Sequence, residues 1–227
     1  MGKRKRSSLL IVVAVALILA VFLALIIFLG PTSSQALAPG VKSGDEFVYD
    51  IRTTWSSNDE NATLDDYYVQ LNMTEWYKIT VTDVNGSKVS LSTLWRFTNG
   101  TEVAGTSTLN VLTGTAYPYN AFWGIYAANL DENDRIRPSG ATQAVVNETT
   151  TKDYASGTRE LNVVSVSEQY YDADDPTYST TWTDYMNIKF DKQKGMLVEF
   201  HDISIFNNPS QTYTISWILT ETNVWDL

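Results

Sequence analysis

The sequence predicts a mainly β protein: an N-terminal transmembrane helix, then one large antiparallel sheet of about ten strands, with a short covering helix near 121–130. Three observations carry this reading. An unbroken apolar run fills residues 9–29. Period-two alternation of apolar and polar residues, punctuated by turn residues, recurs from residue 46 to residue 222. One segment, 117–138, breaks that alternation.

The apolar run, LLIVVAVALILAVFLALIIFL, carries no polar side chain over 21 positions. A hydrocarbon core of about 30 Å takes about 20 residues of helix, so the run is long enough to span. Gly30-Pro31 ends it, since proline lacks the N–H that a helix needs and clashes with the preceding turn. Lys3 to Arg6 (KRKR) precede the run, and the next basic residue is Lys42. That asymmetry holds residues 1–8 in the cytoplasm as a basic tail and sends residues 31–227 outside. The competing reading is a cleaved signal peptide, whose apolar stretch is about 7–15 residues. Ala36-Leu37-Ala38 offers a small-x-small cleavage site, but Pro39 follows it, and the uncleaved anchor is preferred. The expected product is a single-pass cell-membrane protein with the lipid bilayer as partner through residues 9–29. Residues 30–40, rich in Pro, Ser and Gly, form a tether, and 41–227 an extracellular β-rich domain.

Charge and composition narrow the function classes. The chain is −10 overall, and beyond residue 30 it holds 12 basic against 26 acidic side chains, a net of −14. Such a surface repels nucleic acid, which is not expected as a partner. There is no cysteine, hence no disulfide and no thiolate-ligated metal. A domain of about 180 residues buries about 70% of its unfolded surface, enough to rest on an apolar core alone.

The strands are expected near 46–53, 66–73, 76–84, 88–98 and 101–111, then near 143–150, 158–170, 178–190, 196–206 and 211–222. Tyr77, Ile79 and Val81 alternate with Lys78, Thr80 and Thr82, and Val89, Leu91, Thr93, Trp95 and Phe97 continue the pattern. This marks antiparallel strands with one buried face. Six of these strands exceed ten residues, long enough to curve. Gly195 supplies a positive φ in the hairpin of 190–200. In the aperiodic segment, Asn120 caps the expected helix, and Phe122, Trp123, Tyr126 and Leu130 form its apolar side.

Asn85-Gly86 and Asn99-Gly100 sit between alternating runs, the pattern of type I′ hairpin turns. Both also open Asn-x-Ser/Thr triplets, and Asn61, Asn72 and Asn147 open three more. In a domain outside the cell these five asparagines are expected N-glycosylation sites.

Three stretches, GVKSGDEFVYDI (40–51), IYAANLDENDRI (125–136) and FDKQKGMLVEF (190–200), are similar to elements that recur in this order in archaeal membrane-anchored exported proteins of uncharacterised function. The last hairpin also resembles one in the LolA/LppX lipoprotein-carrier-like fold. That resemblance implies a half-barrel-like sheet cupping helices and a surface location. Glu132-Asn133-Asp134 stand where the pattern has Gly-Asp.

Chemistry is sparse. The one histidine, His201, lies mid-strand, and no nucleophile–base, HExxH or phosphate-loop motif occurs. Asp131 and Asp134, and Asp172, Asp174 and Asp175, are weak calcium candidates: carboxylate-rich loops supply oxygens, but neither has EF-hand spacing. No metal, cofactor or catalytic residue is expected. Seven Trp, thirteen Tyr and eight Phe suit a sheet core, or a face that stacks on a glycan or encloses a lipid-like ligand. The expectation is a non-catalytic binding, carrier or envelope module, with a carbohydrate-active enzyme or a pilin-like filament subunit as alternatives.

Overall fold

A computed structural model of the chain describes residues 37–119, 121–172, 176–177 and 179–227. They build one ten-stranded antiparallel sheet and one short helix. The apolar run 9–29 and Asn120 lie outside the described residues; among the described residues no helix is long and apolar enough to cross a membrane.

The strands are β1 (Glu46–Ser57), β2 (Thr74–Asn85), β3 (Lys88–Phe97), β4 (Glu102–Asn110), β5 (Ala116–Tyr117), β6 (Glu148–Tyr154), β7 (Gly157–Tyr171), β8 (Thr181–Asp191), β9 (Leu197–Asn207) and β10 (Ser210–Thr222). Their order is β5-β4-β3-β2-β1-β10-β9-β8-β7-β6. Two five-stranded meanders therefore meet where the first strand pairs with the last, from Phe47↔Thr222 to Ser57↔Gln211. Alternation orients the strands as expected: Tyr49 and Ile51 on β1, Ile79 and Val81 on β2, and Val89 and Leu91 on β3 point to one buried face.

Three local readings are corrected. The first concerns 66–73, which forms helix α1 (Asp66–Asn72) instead of a strand. Asp65 caps it by accepting from the Tyr67 N–H at 2.8 Å. Tyr68 and Leu71, three apart, share the side of α1 that packs, while Tyr67 and Val69 are exposed. The helix docks on β1, where the Thr53 N–H donates to Asn72 Oδ1 at 2.8 Å and Thr53 Oγ1 to the Tyr68 carbonyl at 3.2 Å.

The second correction concerns the Asn-Gly turns. Asn85 pairs with Lys88, so the two-residue loop is Gly86-Ser87. Gly86 alone has a positive φ, +59°, which is the type II′ pattern with glycine first. At the other pair, the Gly100 N–H donates to the Phe97 carbonyl and the Phe97 N–H to Thr101. That is a type I turn followed by a left-handed Gly100, with φ +83°. Glycine is needed in both, but neither asparagine leaves the ordinary backbone regions.

The third correction removes the covering helix near 121–130. β5 and β6 are the outermost strands, so the segment 118–147 that joins them must traverse the sheet. Nine strand spacings of about 4.8 Å make that a wide span, and the chain crosses it without helix. The first half of the segment bonds largely outside it: Tyr126 N–H to the Gly195 carbonyl (2.7 Å), Asn129 N–H to Lys192 (2.7 Å), Ala128 N–H to Ala38 (2.8 Å), and Leu197 N–H back to Gly124 (2.8 Å), while its second half closes on itself, as in Val146 N–H to Asp134 (2.9 Å). Phe122, Ile125, Tyr126 and Leu130 are nonetheless buried, so the apolar content was read correctly and its period was not.

The three stretches that carry the resemblance converge here. Pro39 bridges Ala127 and Ile125 bridges Met196. A Cβ on Gly40 would lie 2.0 Å from the Gln193 carbonyl, and one on Gly195 (φ +67°) 2.2 Å from the Tyr126 carbonyl. Tyr49 donates its hydroxyl to the Leu197 carbonyl at 2.7 Å. Asp191, 1% exposed, is held bidentately by Arg159 at 2.6 and 2.9 Å.

Arg137 fixes the crossover from inside. It is 6% exposed, and its guanidinium donates to the carbonyls of Val111 (3.1 Å), Ile125 (2.5 Å) and Trp123 (2.6 Å) while sitting 4.4 Å above the Tyr126 ring.

Three substitutions probe this packing and the turn geometry. Arg137→Lys keeps the charge but loses the fork, leaving buried carbonyls unpaired; a loss of about 2–4 kcal/mol in denaturant unfolding is expected. Gly86→Ala meets open space and should cost only backbone strain, about 1–2 kcal/mol. Gly195→Ala adds a backbone clash, and about 3 kcal/mol or more is expected in the same assay.

Candidate functional site

The crossover leaves two open grooves on the face it covers. One, of about 770 Å³, runs along β3 and β4 and is lined by Tyr77, Trp95, Gly105, Phe122, Trp123 and Trp217 among others. The other, of about 920 Å³, lies over β7, β8 and β9, with Trp123, Val166, Met186, Ile188 and Phe200 as apolar lining and Gln143, Asn147 and Ser165 as polar lining. Trp123 belongs to both, and its ring meets Phe200 edge-on at 5.0 Å. A third depression, about 760 Å³, is lined by Val48, Asp50, Glu75, Trp76, Lys78 and Thr220 on the opposite face.

Beyond the larger groove, on the same face, stand two carboxylates. Asp202 is directly opposite Met186, and Asp184 is two residues along β8 from Met186 and opposite Glu168 of β7. One oxygen of each, Oδ1, is buried without a hydrogen-bond partner. Glu168 accepts from the Tyr170 hydroxyl. Among the described residues no lysine or arginine pairs with Asp184 or Asp202. Burial and then the charge of Asp184 push the Asp202 carboxyl up to about 6, with the Ile203 N–H pulling weakly the other way.

An aromatic strip runs past these acids. Tyr170 stacks on Trp182 at 5.2 Å, Trp182 on Phe206 at 5.5 Å, Phe206 meets Tyr213 edge-on at 5.6 Å, and Tyr213 stacks on Tyr68 of α1 at 4.6 Å. Tyr68 is raised by burial first, then by Tyr213 and by the charges of Asp202 and Asp184. The adjacent pairs separate by face as alternation requires: Tyr171 is 55% exposed while Tyr170 stacks inward, and Trp76 lines the opposite face from Tyr77.

The residues expected from sequence fall elsewhere. Asp131 pairs with Lys192 at 2.8 Å, and Asp134 accepts from the Asp131 N–H, so these two carboxylates organise a turn. The Asp172 N–H donates to the Thr180 carbonyl, and Asp174 and Asp175 lie outside the described residues. His201 sits on β9 opposite Asn187 and Ser216, on the face away from the grooves. All five triplet asparagines are exposed, but they are not equivalent. Asn72 Oδ1 holds the Thr53 N–H and Asn147 Oδ1 the Ser165 N–H at 2.6 Å, and Thr74 of the Asn72 triplet is fully buried. Asn99 accepts only from its neighbour Thr101 at 2.9 Å.

Sequence reasoning missed Arg137, Asp184 and Asp202. For Asp184 there was a signal: it shares the parity of Trp182, Met186 and Ile188, an acid on the apolar face of a strand. No protein-family model matches the chain, and no curated protein is similar to it.

The carboxylate pair generates a prediction with a definite sign. The folded-state pKa of Asp202 lies above its ordinary value of 3.8, so its contribution to stability is complete below that value and is lost as pH rises through about 6. Asp202→Asn should therefore raise the melting temperature at about pH 7.5 and leave it unchanged near pH 3.8. Equal melting temperatures at both pH values would show that the pair carries no strain.

Proposed function

We propose that this chain is a single-pass surface protein, anchored through residues 9–29, whose exterior domain binds an apolar ligand without catalysing a reaction on it. The observation that carries this reading is the pair of aromatic-lined grooves, about 770 and 920 Å³, that the crossover leaves on either side of Trp123. Volumes of about 300–1,000 Å³ lined by apolar and aromatic side chains with a few polar groups are those of small-molecule sites. The resemblance to carrier-like half-barrels supports the same reading, with the sheet curved around its cargo. The basic tail before the apolar run supports an extracellular domain. Within that location Asn61, Asn85 and Asn99 are the expected glycan acceptors, since Asn72 and Asn147 spend their carbonyl oxygens on strand backbone.

The experiment has two arms. Protease added to intact cells should digest residues 41–227 and spare the first 30; protection of the C-terminal domain overturns the orientation. The uncharged dye N-phenyl-1-naphthylamine should bind the purified full chain with enhanced fluorescence, and Val166→Trp, which fills the larger groove, should weaken it at least about tenfold. No binding by the unaltered chain overturns the groove reading.

A further inference from the structure

The larger groove is not electrically neutral: Arg137 and Glu168 line it, and Asp184 and Asp202 stand beside its Met186. The arginine and the aspartates differ in one respect. Arg137 lines the groove, yet its donors are taken by three main-chain carbonyls, so its charge is spent inside the protein. Asp184 and Asp202 have no such partners: each keeps one oxygen buried and unpaired, next to Met186 on the groove's lining. Leaving an ionised oxygen desolvated and unpaired costs free energy that a protein ordinarily avoids with a lysine, an arginine or a hydrogen bond. Glu168, which lines the groove and faces Asp184, adds to the negative potential. A second group on the same groove is also unsatisfied: Tyr126, 1% exposed, has a hydroxyl with no partner. The rings flanking the acids, Tyr170, Trp182 and Phe206, stack on one another and wall the acids with aromatic surface.

We propose that the larger groove selects a cationic amphiphile, an amine or quaternary ammonium carried on an apolar body, with the charged head between Asp184 and Asp202 and the body along Met186, Ile188, Phe200 and Trp123. The proposal rests on the reading that the groove binds an apolar ligand, and adds the ligand's charge. The groove supplies the apolar burial. The acid pair supplies the selection, because a cation offsets the charge of both carboxylates, a neutral hydroxyl can only donate one hydrogen bond to one of them, and an anionic head adds repulsion.

The test is displacement of N-phenyl-1-naphthylamine from the purified full chain at about pH 7.5 by three probes of matched shape: 4-phenylbutylammonium, 4-phenylbutanol and 4-phenylbutyrate. The ammonium is expected to displace the dye at a concentration at least about tenfold below the alcohol, with the carboxylate weakest. In Asp184→Asn/Asp202→Asn, which keeps the side-chain shapes and removes a repulsion, the dye should still bind and the preference for ammonium should vanish. If alcohol and ammonium displace equally from the unaltered chain, the cation selection is wrong while the apolar groove stands. If the preference survives in the double variant, the acids are not its source and the proposal fails. If the dye itself does not bind, the groove reading fails and this inference with it.

Discussion

Irregular backbone laid over an apolar sheet face brings carbonyl groups that no ladder satisfies, and the whole fold turns on how those carbonyls are paired. Arg137 answers part of that need, beside Arg135 on the carbonyls of Gly140 and Thr142 and Asn162 on that of Leu130. The planar guanidinium of Arg137 reaches the carbonyls of Val111, Trp123 and Ile125, which lie at the end of β4 and within the crossover, and stacks over Tyr126. The hairpin between β8 and β9 adds one donor, the Leu197 N–H on the Gly124 carbonyl, and its Gly195 and Lys192 carbonyls accept the N–H groups of Tyr126 and Asn129. The crossover can then run as extended chain and still bury Phe122, Ile125 and Leu130. An arginine used this way is not available to a ligand, so the charge available at the grooves is that of the acids alone.

Close approach is the second half of the same constraint. Gly40 and Gly195 sit where a Cβ would strike main-chain atoms, so the entry segment, the crossover and the hairpin touch backbone to backbone. The packing of the cover dictates the shape of these three segments.

The sheet was largely legible in the sequence because alternation is a direct image of which face is buried. Eight of the ten expected strands lie where period two puts them, and the one expected near 143–150 starts only at Glu148, its first five positions belonging to the crossover. The failures have separable causes. Tyr67-Tyr68-Val69 has strand propensity, but Asp65 caps a helix there and α1 needs only Tyr68 and Leu71 to dock. In the crossover the apolar residues were identified and their spacing was taken for a helix, because hydrogen bonds to distant carbonyls leave no local signature. β9 concealed the acid pair: Ile203 and Ile205 alternate against Phe200 and Phe206, so neither parity of that strand reads as the polar one. Asp202 becomes conspicuous only when register sets it opposite Met186. Arg137 carried no signal at all, since three carbonyls from distant residues are its partners.

The pairing of β1 with β10 has a consequence for how the molecule comes into being. The edges of the sheet are formed by the middle of the chain, and its central seam by the two ends. Each meander can assemble from neighbours in sequence, a fast and local process. The seam cannot. From the moment β1 forms until the last strand arrives, one side of β1 has unpaired N–H and C=O groups and an apolar flank, the kind of edge on which other chains add. The margin that complements it is β10 itself, so the seam between the two half-sheets can close only when residues 210–222 are delivered.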